Sequence, residues 1–213
     1  MSNELIIKDL QPLVSVDEFS KEINTQTWLP RLQIIDPKSR YSMDKVVPAG
    51  NFALIRSQDD VDDLTDEINV VVLDMRWKAL DVSNSDDPIT VYDKDSEVYK
   101  AIQEKSEIKD SGCMWGAEFL VWIESVKQFA TYFCSSKTSR RESTHIFKLI
   151  GHGSTLKVQL ISTKKYSWYG PKISPCSAPF DIPPIEKFKE EVGKFRASIT
   201  ETEVVKESTT RER

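Results

Sequence analysis

The chain has 213 residues, with 29 basic and 34 acidic side chains and a formal net charge of −5 at pH 7. Hydrophobic residues make up 39% and charged residues 30%, a composition that excludes a disordered chain and can supply a buried core. No apolar run is long enough to cross a bilayer, and the first ten residues lack the features of a secretory signal, so we expect a cytoplasmic protein.

The first fifty residues predict a lead-in to the folded core. A capping-box spacing predicts a short helix over 16–24. The apolar run between Pro30 and Pro37 predicts a strand, and the polar, turn-rich stretch over 36–50 predicts a long loop.

The middle of the chain is typical of strands. In its clearest segment, 71–79, apolar residues alternate with Asp74, Arg76 and Lys78, which predicts one buried and one wet face. That phase places Trp77 in the core and both cations on the wet face. The other predicted elements are strands over 52–56, 89–92 and 119–123, a helix over 96–103, and a solvated acidic loop over 59–67.

The second half mixes both element types. Residues 125–135 fit a helix or a strand equally well. A helix is predicted over 142–150, ending at Gly151, after a loop over 137–141. Alternation over 156–160 predicts a strand, with 166–173 as its hairpin partner.

The C-terminal segment predicts an amphipathic helix over 183–199 that docks on the domain. It opens with Pro183 and Pro184. Its apolar residues recur at steps of three and four, namely Ile185, Phe188, Val192, Phe195 and Ile199. Residues 200–213 are polar and predict a disordered tail. The predicted organisation is a lead-in over 1–50, a core domain over 51–182, the helix and the tail. The fold class is α+β, with a small curled sheet or an OB-like β-barrel and a few short helices.

No motif indicates catalysis, a metal or a cofactor. Three widely spaced cysteines, Cys113, Cys134 and Cys176, fit neither a disulfide framework nor a zinc site, which predicts buried or inert thiols. The acids of 59–67 do not have the spacing of a calcium loop, and phosphate-loop and nucleophile-elbow motifs are missing. We expect a protein that is not an enzyme.

The charge pattern changes sign between Val126 and Phe180. That window has nine basic residues and one acid, so it carries +8 while the remainder carries −13. It also contains seven aromatic residues. A basic, aromatic-rich segment within an acidic protein predicts a surface for a polyanion, nucleic acid first.

Two clusters within the window carry this prediction. The run 137–141 joins three cations with two hydroxyls, which are phosphate donors. The run 164–169 interleaves lysines with rings on which bases could stack. If the strand from Leu156 runs unbroken, Trp168 is core and Tyr169 is exposed; a bulge at 162–163 would reverse both. The candidate nucleic-acid contacts are Lys137, Arg140, Arg141, Lys157, Lys164, Lys165, Tyr166, Tyr169 and Lys172, with Arg76 and Lys78 on the second strand face.

Three runs resemble small proteins carried by bacteriophages and related mobile elements. They are Pro30-Arg31-Leu32, Pro48-Ala49-Gly50-Asn51-Phe52, and Cys113-Met114-Trp115-Gly116 followed by Phe119-Leu120-Val121. In size and acidic charge the chain is similar to single-stranded-DNA-binding proteins of phage replication modules. Such proteins often combine an OB fold with an acidic tail that recruits partners; here Lys206, Arg211 and Arg213 offset the tail's glutamates.

The resemblance implies a protein of phage or mobile-element DNA replication or recombination, located in the host cytoplasm. Its expected partners are single-stranded DNA and replication or recombination proteins. The alternative is a virion or interaction protein that uses the basic face and assembles identical chains through the C-terminal helix. A metal-dependent nuclease is the third hypothesis.

Overall fold

A computed structural model describes residues 29–84, 87–176 and 180–210, with side chains as far as Ser198. The helix predicted over 16–24 lies outside the described residues. The strands are β1 (Arg31–Ile34), β2 (Phe52–Ile55), β3 (Val61–Asp63), β4 (Glu67–Asp81), β5 (Ile89–Val91), β6 (Cys113–Ile123), β7 (Gln128–Cys134), β8 (Gly153–Ser162) and β9 (Ser167–Pro175). The helices are α1 (Arg40–Met43), α2 (Glu97–Lys105), α3 (Lys137–Phe147) and α4 (Ile185–Thr210).

The nine strands form one mixed, mostly open sheet, which confirms the α+β class. Its order is β3-β2-β1-β7-β6-β4-β8-β9, and β5 pairs with β4. Neighbours are antiparallel except for β1 and β7, which are parallel. The sheet therefore begins at Arg31, within the segment predicted as a lead-in. The ring of Tyr169 in β9 packs against Gly50 just before β2, so the two ends of the sheet curl toward each other.

A bulge in β4 reverses the predicted faces of this strand. Val72 pairs with Val121 and Asp74 with Leu120, which leaves Leu73 as an extra residue. Strict alternation across 71–79 is therefore wrong: Leu73 faces α4, whereas Met75 packs on the main core. Beyond the bulge Trp77, predicted as core, is 37% exposed.

Two cores lie on opposite faces of the sheet. The main core joins residues of β1, β2, β4, β6, β7, β8, β9 and α3, with Phe119 and Ile146 fully buried in it. On the other face α4 buries Phe188, Val192 and Phe195 against β4, β6 and β7, which confirms the predicted docking. The helix is assigned as far as Thr210, and the disordered tail over 200–213 stays a prediction.

Local signals placed several elements. Ser96 caps α2 by accepting the Tyr99 N–H. The ambiguous segment 125–135 is strand β7, and the acidic loop contains β3. Helix α3 begins at Lys137, five residues before its predicted start, because the Ser136 hydroxyl accepts the Ser139 N–H and caps the helix there. Within the described ranges, none of the four helices combines the length and the apolar character of a membrane span.

Candidate nucleic-acid interface

Helix α3 presents cations along one face. Lys137, Arg141 and Lys148 are exposed and fall within about 40° of one another at about 100° per helical residue. The other side of the helix buries Ser139 and Ile146. We call Lys137, Arg141 and Lys148 the basic stripe.

The β8–β9 hairpin carries the second set of cations. The strands pair from Ser154–Pro175 to Ser162–Ser167, which leaves residues 163–166 as the turn. This hairpin tip contains Lys164, Lys165 and Tyr166, and Tyr166 is 72% exposed. The Thr163 hydroxyl accepts the Tyr166 N–H at 3.1 Å, and the Thr163 N–H donates to the Tyr166 carbonyl at 2.8 Å.

The turn also determines on which face of the hairpin each aromatic residue of β9 lies. Tyr169 lies opposite Leu160 and packs on the main core, whereas Trp168 lies on the other face. The predictions that Trp168 is core and that Tyr169 is exposed are therefore wrong. Both residues are half-buried. The turn at 163–166 exchanges the faces on which Trp168 and Tyr169 lie, which is the effect expected of a bulge at 162–163.

Direct contacts join α3 to the hairpin. The Trp168 Nε1–H donates to Thr138 Oγ1 at 2.9 Å, and the Ile173 N–H donates to Glu142 Oε1 at 2.8 Å. Gly170 permits this approach, since a Cβ there would lie 2.6 Å from the Thr138 methyl carbon. The two basic clusters of the sequence thus form neighbouring parts of one surface.

Most cations of this surface lack a carboxylate partner. Among the described residues, no ion pair within 4.0 Å involves Arg141, Lys148, Lys164, Lys165 or Lys172. We call these the five unpaired cations. The Lys137 ammonium lies 3.5 Å from Glu107, with both side chains more than half exposed, so solvent screens that pair strongly.

Lys157 differs from this set. Its ammonium lies 2.6 Å from the Glu67 carboxylate, which raises the pKa of Lys157. Lys157 also lies directly opposite Lys172 in the hairpin, and like charges in that position repel. Glu67 offsets this repulsion, so Lys157 already has a counter-charge within the protein.

Arg140 is engaged within the protein as well. Its guanidinium stacks on the Trp115 ring at 4.5 Å from the ring centroid. It also donates to the carbonyls of Ser135 and Trp115. Arg140 therefore ties α3 to the start of β6 and the end of β7, although sequence reasoning grouped it with the phosphate contacts.

Arg76 and Lys78 lie on the opposite face of the sheet, and Arg76 lies beneath α4. Their side chains are 10% and 17% exposed, and both reach the buried Glu118 carboxylate at 2.6 Å. Arg76 also donates to the Phe195 carbonyl at 2.8 Å. Its guanidinium lies between the rings of Tyr92 and Phe195, 4.0 and 4.1 Å from their centroids.

The prediction that these two cations share a wet face is wrong, because the β4 bulge turns them toward α4. Sequence reasoning also missed Glu118. The available signal was one carboxylate within the apolar run of β6.

The acidic stretch and the thiols have local explanations. Asp60 and Asp62 hold Arg56 at 2.8 and 2.7 Å. Cys113 and Cys134 are buried free thiols, and burial raises the pKa of both. Across the described part of the chain, no three His, Cys, Asp or Glu residues come together as metal ligands would.

Comparison of the chain with models of protein families, with curated proteins and with solved structures finds no match.

Proposed function

We propose that the protein binds single-stranded DNA, with little sequence preference, through the basic stripe, the hairpin tip and Lys172 of β9. One observation carries the proposal: the Trp168–Thr138 hydrogen bond holds the two basic clusters side by side. Lysine and arginine contacts to phosphates fix a strand in place without reading its sequence. The five unpaired cations have no competing carboxylate among the described residues.

The biological setting is part of the same proposal. Overall charge and size resemble those of phage single-stranded-DNA-binding proteins, which favours a role in phage or mobile-element DNA replication or recombination, with proteins of those processes as further partners. An OB-like barrel stays a prediction. The proposal does not require it, because the contacts between α3 and the hairpin suffice to build the surface.

Salt dependence is the direct test. Binding of a fluorescent oligothymidylate is measured by anisotropy at increasing salt. If the five unpaired cations each neutralise a phosphate, the slope of log K against log salt is about −3.5, at about −0.7 per contact with a single strand. Absence of binding at low salt, or a slope near zero, contradicts the proposal.

Charge-removing variants locate the surface. Arg141→Gln should weaken binding and make the slope shallower by about 0.7. The matched control is Lys94→Gln, an exposed lysine in the turn before α2, which should leave both quantities unchanged. Equal losses in the two variants would show that net charge alone attracts the DNA.

Assembly through α4 is the alternative proposal. The apolar stripe that motivates it is buried against the sheet at Phe188, Val192 and Phe195, so it is not offered to a second copy. Light scattering of the full chain decides, because a monomer at high protein concentration contradicts assembly.

A further inference from the structure

The β8–β9 hairpin extends past the strand that supports it. β8 pairs with β4 only from Gly153 to Lys157, and one further bond joins the Val158 N–H to the Asp66 carbonyl. From Gln159 to Ser162, β8 pairs within the described residues with β9 alone. Four residues at about 3.3 Å each carry the hairpin about 13 Å past the end of its pairing with β4. On one face Tyr169, opposite Leu160, packs against Gly50. The hairpin is supported from the side by Thr138 of α3.

The end of this projection combines apolar surface with positive charge. Tyr166 is 72% and Leu160 61% exposed, and Lys164 and Lys165 immediately precede the tyrosine. The turn fixes the backbone of Tyr166, since the Thr163 hydroxyl and N–H both bond to it. An exposed ring on a fixed backbone loses only its own rotamer freedom when it stacks on a flat partner.

We infer that the hairpin tip recognises the junction between single-stranded and duplex DNA. This inference rests on the proposed function and names the form of its substrate. Tyr166 stacks on the last base pair, Lys164 and Lys165 contact the phosphates beside it, and the single strand runs along the basic stripe.

The geometry favours a junction over other forms of DNA. The faces of base pairs are covered within a continuous duplex, and the outermost pair is accessible only where the stack ends. A ring at the end of a projecting ribbon reaches such a face, whereas rings that bind a continuous single strand line a groove. The remaining aromatic residue of the hairpin's outer face, Trp168, is half-buried and bonded to Thr138.

The test compares three labelled DNAs at one salt concentration: a duplex with a single-stranded tail, the tail alone, and a closed circular duplex, which has no terminal base pair. We expect the tailed duplex to bind roughly tenfold more tightly than the tail alone, because that ratio corresponds to the stacking free energy of one base. A 2-aminopurine in the last base pair should change its fluorescence on binding.

Variants assign the preference to the hairpin tip. Tyr166→Ala should reduce the ratio of the affinity for the tailed duplex to the affinity for the tail alone to about one, and Tyr166→Trp should preserve this ratio. Phe147→Ala is the matched control, because Phe147 is a 53% exposed ring at the other end of α3 and its loss should leave the ratio unchanged. Circular dichroism confirms that each variant is folded.

The outcomes separate the two proposals. If none of the three DNAs binds, the proposed function fails. If DNA binds with a ratio near one, or if Tyr166→Ala retains the preference, only the junction inference is overturned. Equal affinity for the closed circular duplex also overturns it, because the ribbon would then be entering a groove.

Discussion

Replacing Glu118 with glutamine tests the cluster beneath α4. Glu118 is 2% exposed and is shared by Arg76 and Lys78, each at 2.6 Å. Glu118→Gln keeps the shape of the side chain but removes the negative charge. Two mostly buried cations are then left without their carboxylate, and Arg76 must still hold the Phe195 carbonyl of α4.

The burial of the three side chains sets the magnitude. Removal of one partner from a buried ion pair costs about 3–5 kcal/mol, because the remaining charge stays out of water. We expect Glu118→Gln to lower the free energy of unfolding by that amount. Glu67→Gln is the matched control, because its pair with Lys157 has the same 2.6 Å distance but is about half exposed. That variant should lose at most about 1 kcal/mol.

Urea denaturation followed by tryptophan fluorescence measures both variants, since Trp122 lies in the core under α4. Equal m-values establish that the two transitions expose the same surface. The reasoning is refuted if Glu118→Gln loses no more stability than Glu67→Gln.

Three further predictions concern backbone packing, pH and thiol access. A Cβ at Gly116 would lie 2.0 Å from the Cys134 carbonyl oxygen, so Gly116→Ala should lower the melting temperature sharply. If the variant melts at the wild-type temperature, β6 and β7 can move apart without loss of stability and the prediction is wrong. Burial raises the pKa of Tyr92 to about 12, so the unfolded chain ionises first and Tyr92 alone should lower the free energy of unfolding by about 2–3 kcal/mol between about pH 10 and 12. Tyr92→Phe should reduce this slope in urea titrations, and an identical slope would contradict the assignment. An alkylating reagent should modify Cys176 in the native protein and reach Cys113 and Cys134 only after unfolding, which mass spectrometry of the native and denatured protein would confirm or refute.

Sequence reasoning succeeded where the signal was local. The helix that starts after Ser96, the hairpin of β8 and β9, and the docked apolar stripe of α4 all follow from neighbouring residues. The helix start at Lys137 was missed because the run 137–141 was interpreted as a loop; cations at a helix N-terminus oppose its dipole. In the folded protein Arg140 bonds to carbonyls and the Trp115 ring, contacts that depend on tertiary structure.

The faces of β4 and the hairpin could not be predicted in the same way. An extra residue at Leu73 is defined only by the pairing of β4 with β6, and nothing in the alternation of 71–79 marks it. The candidate site shows the same division. Its charge excess is visible in the sequence. Which cations are already paired within the protein, as Lys157, Arg140, Arg76 and Lys78 are, depends on contacts with residues elsewhere in the chain.

The parallel pairing of β1 with β7 has a consequence for the order of folding. Arg31 pairs with Thr131, one hundred positions later, and only one further pair joins the two strands. β6, β7, β8 and β9 instead form through short antiparallel turns, which close with little loss of chain entropy. The unit of β1, β2 and β3 should therefore join the sheet last and open first. Amide hydrogens of Arg31–Ile34 should exchange with solvent before those of β6, although both strands lie inside the sheet.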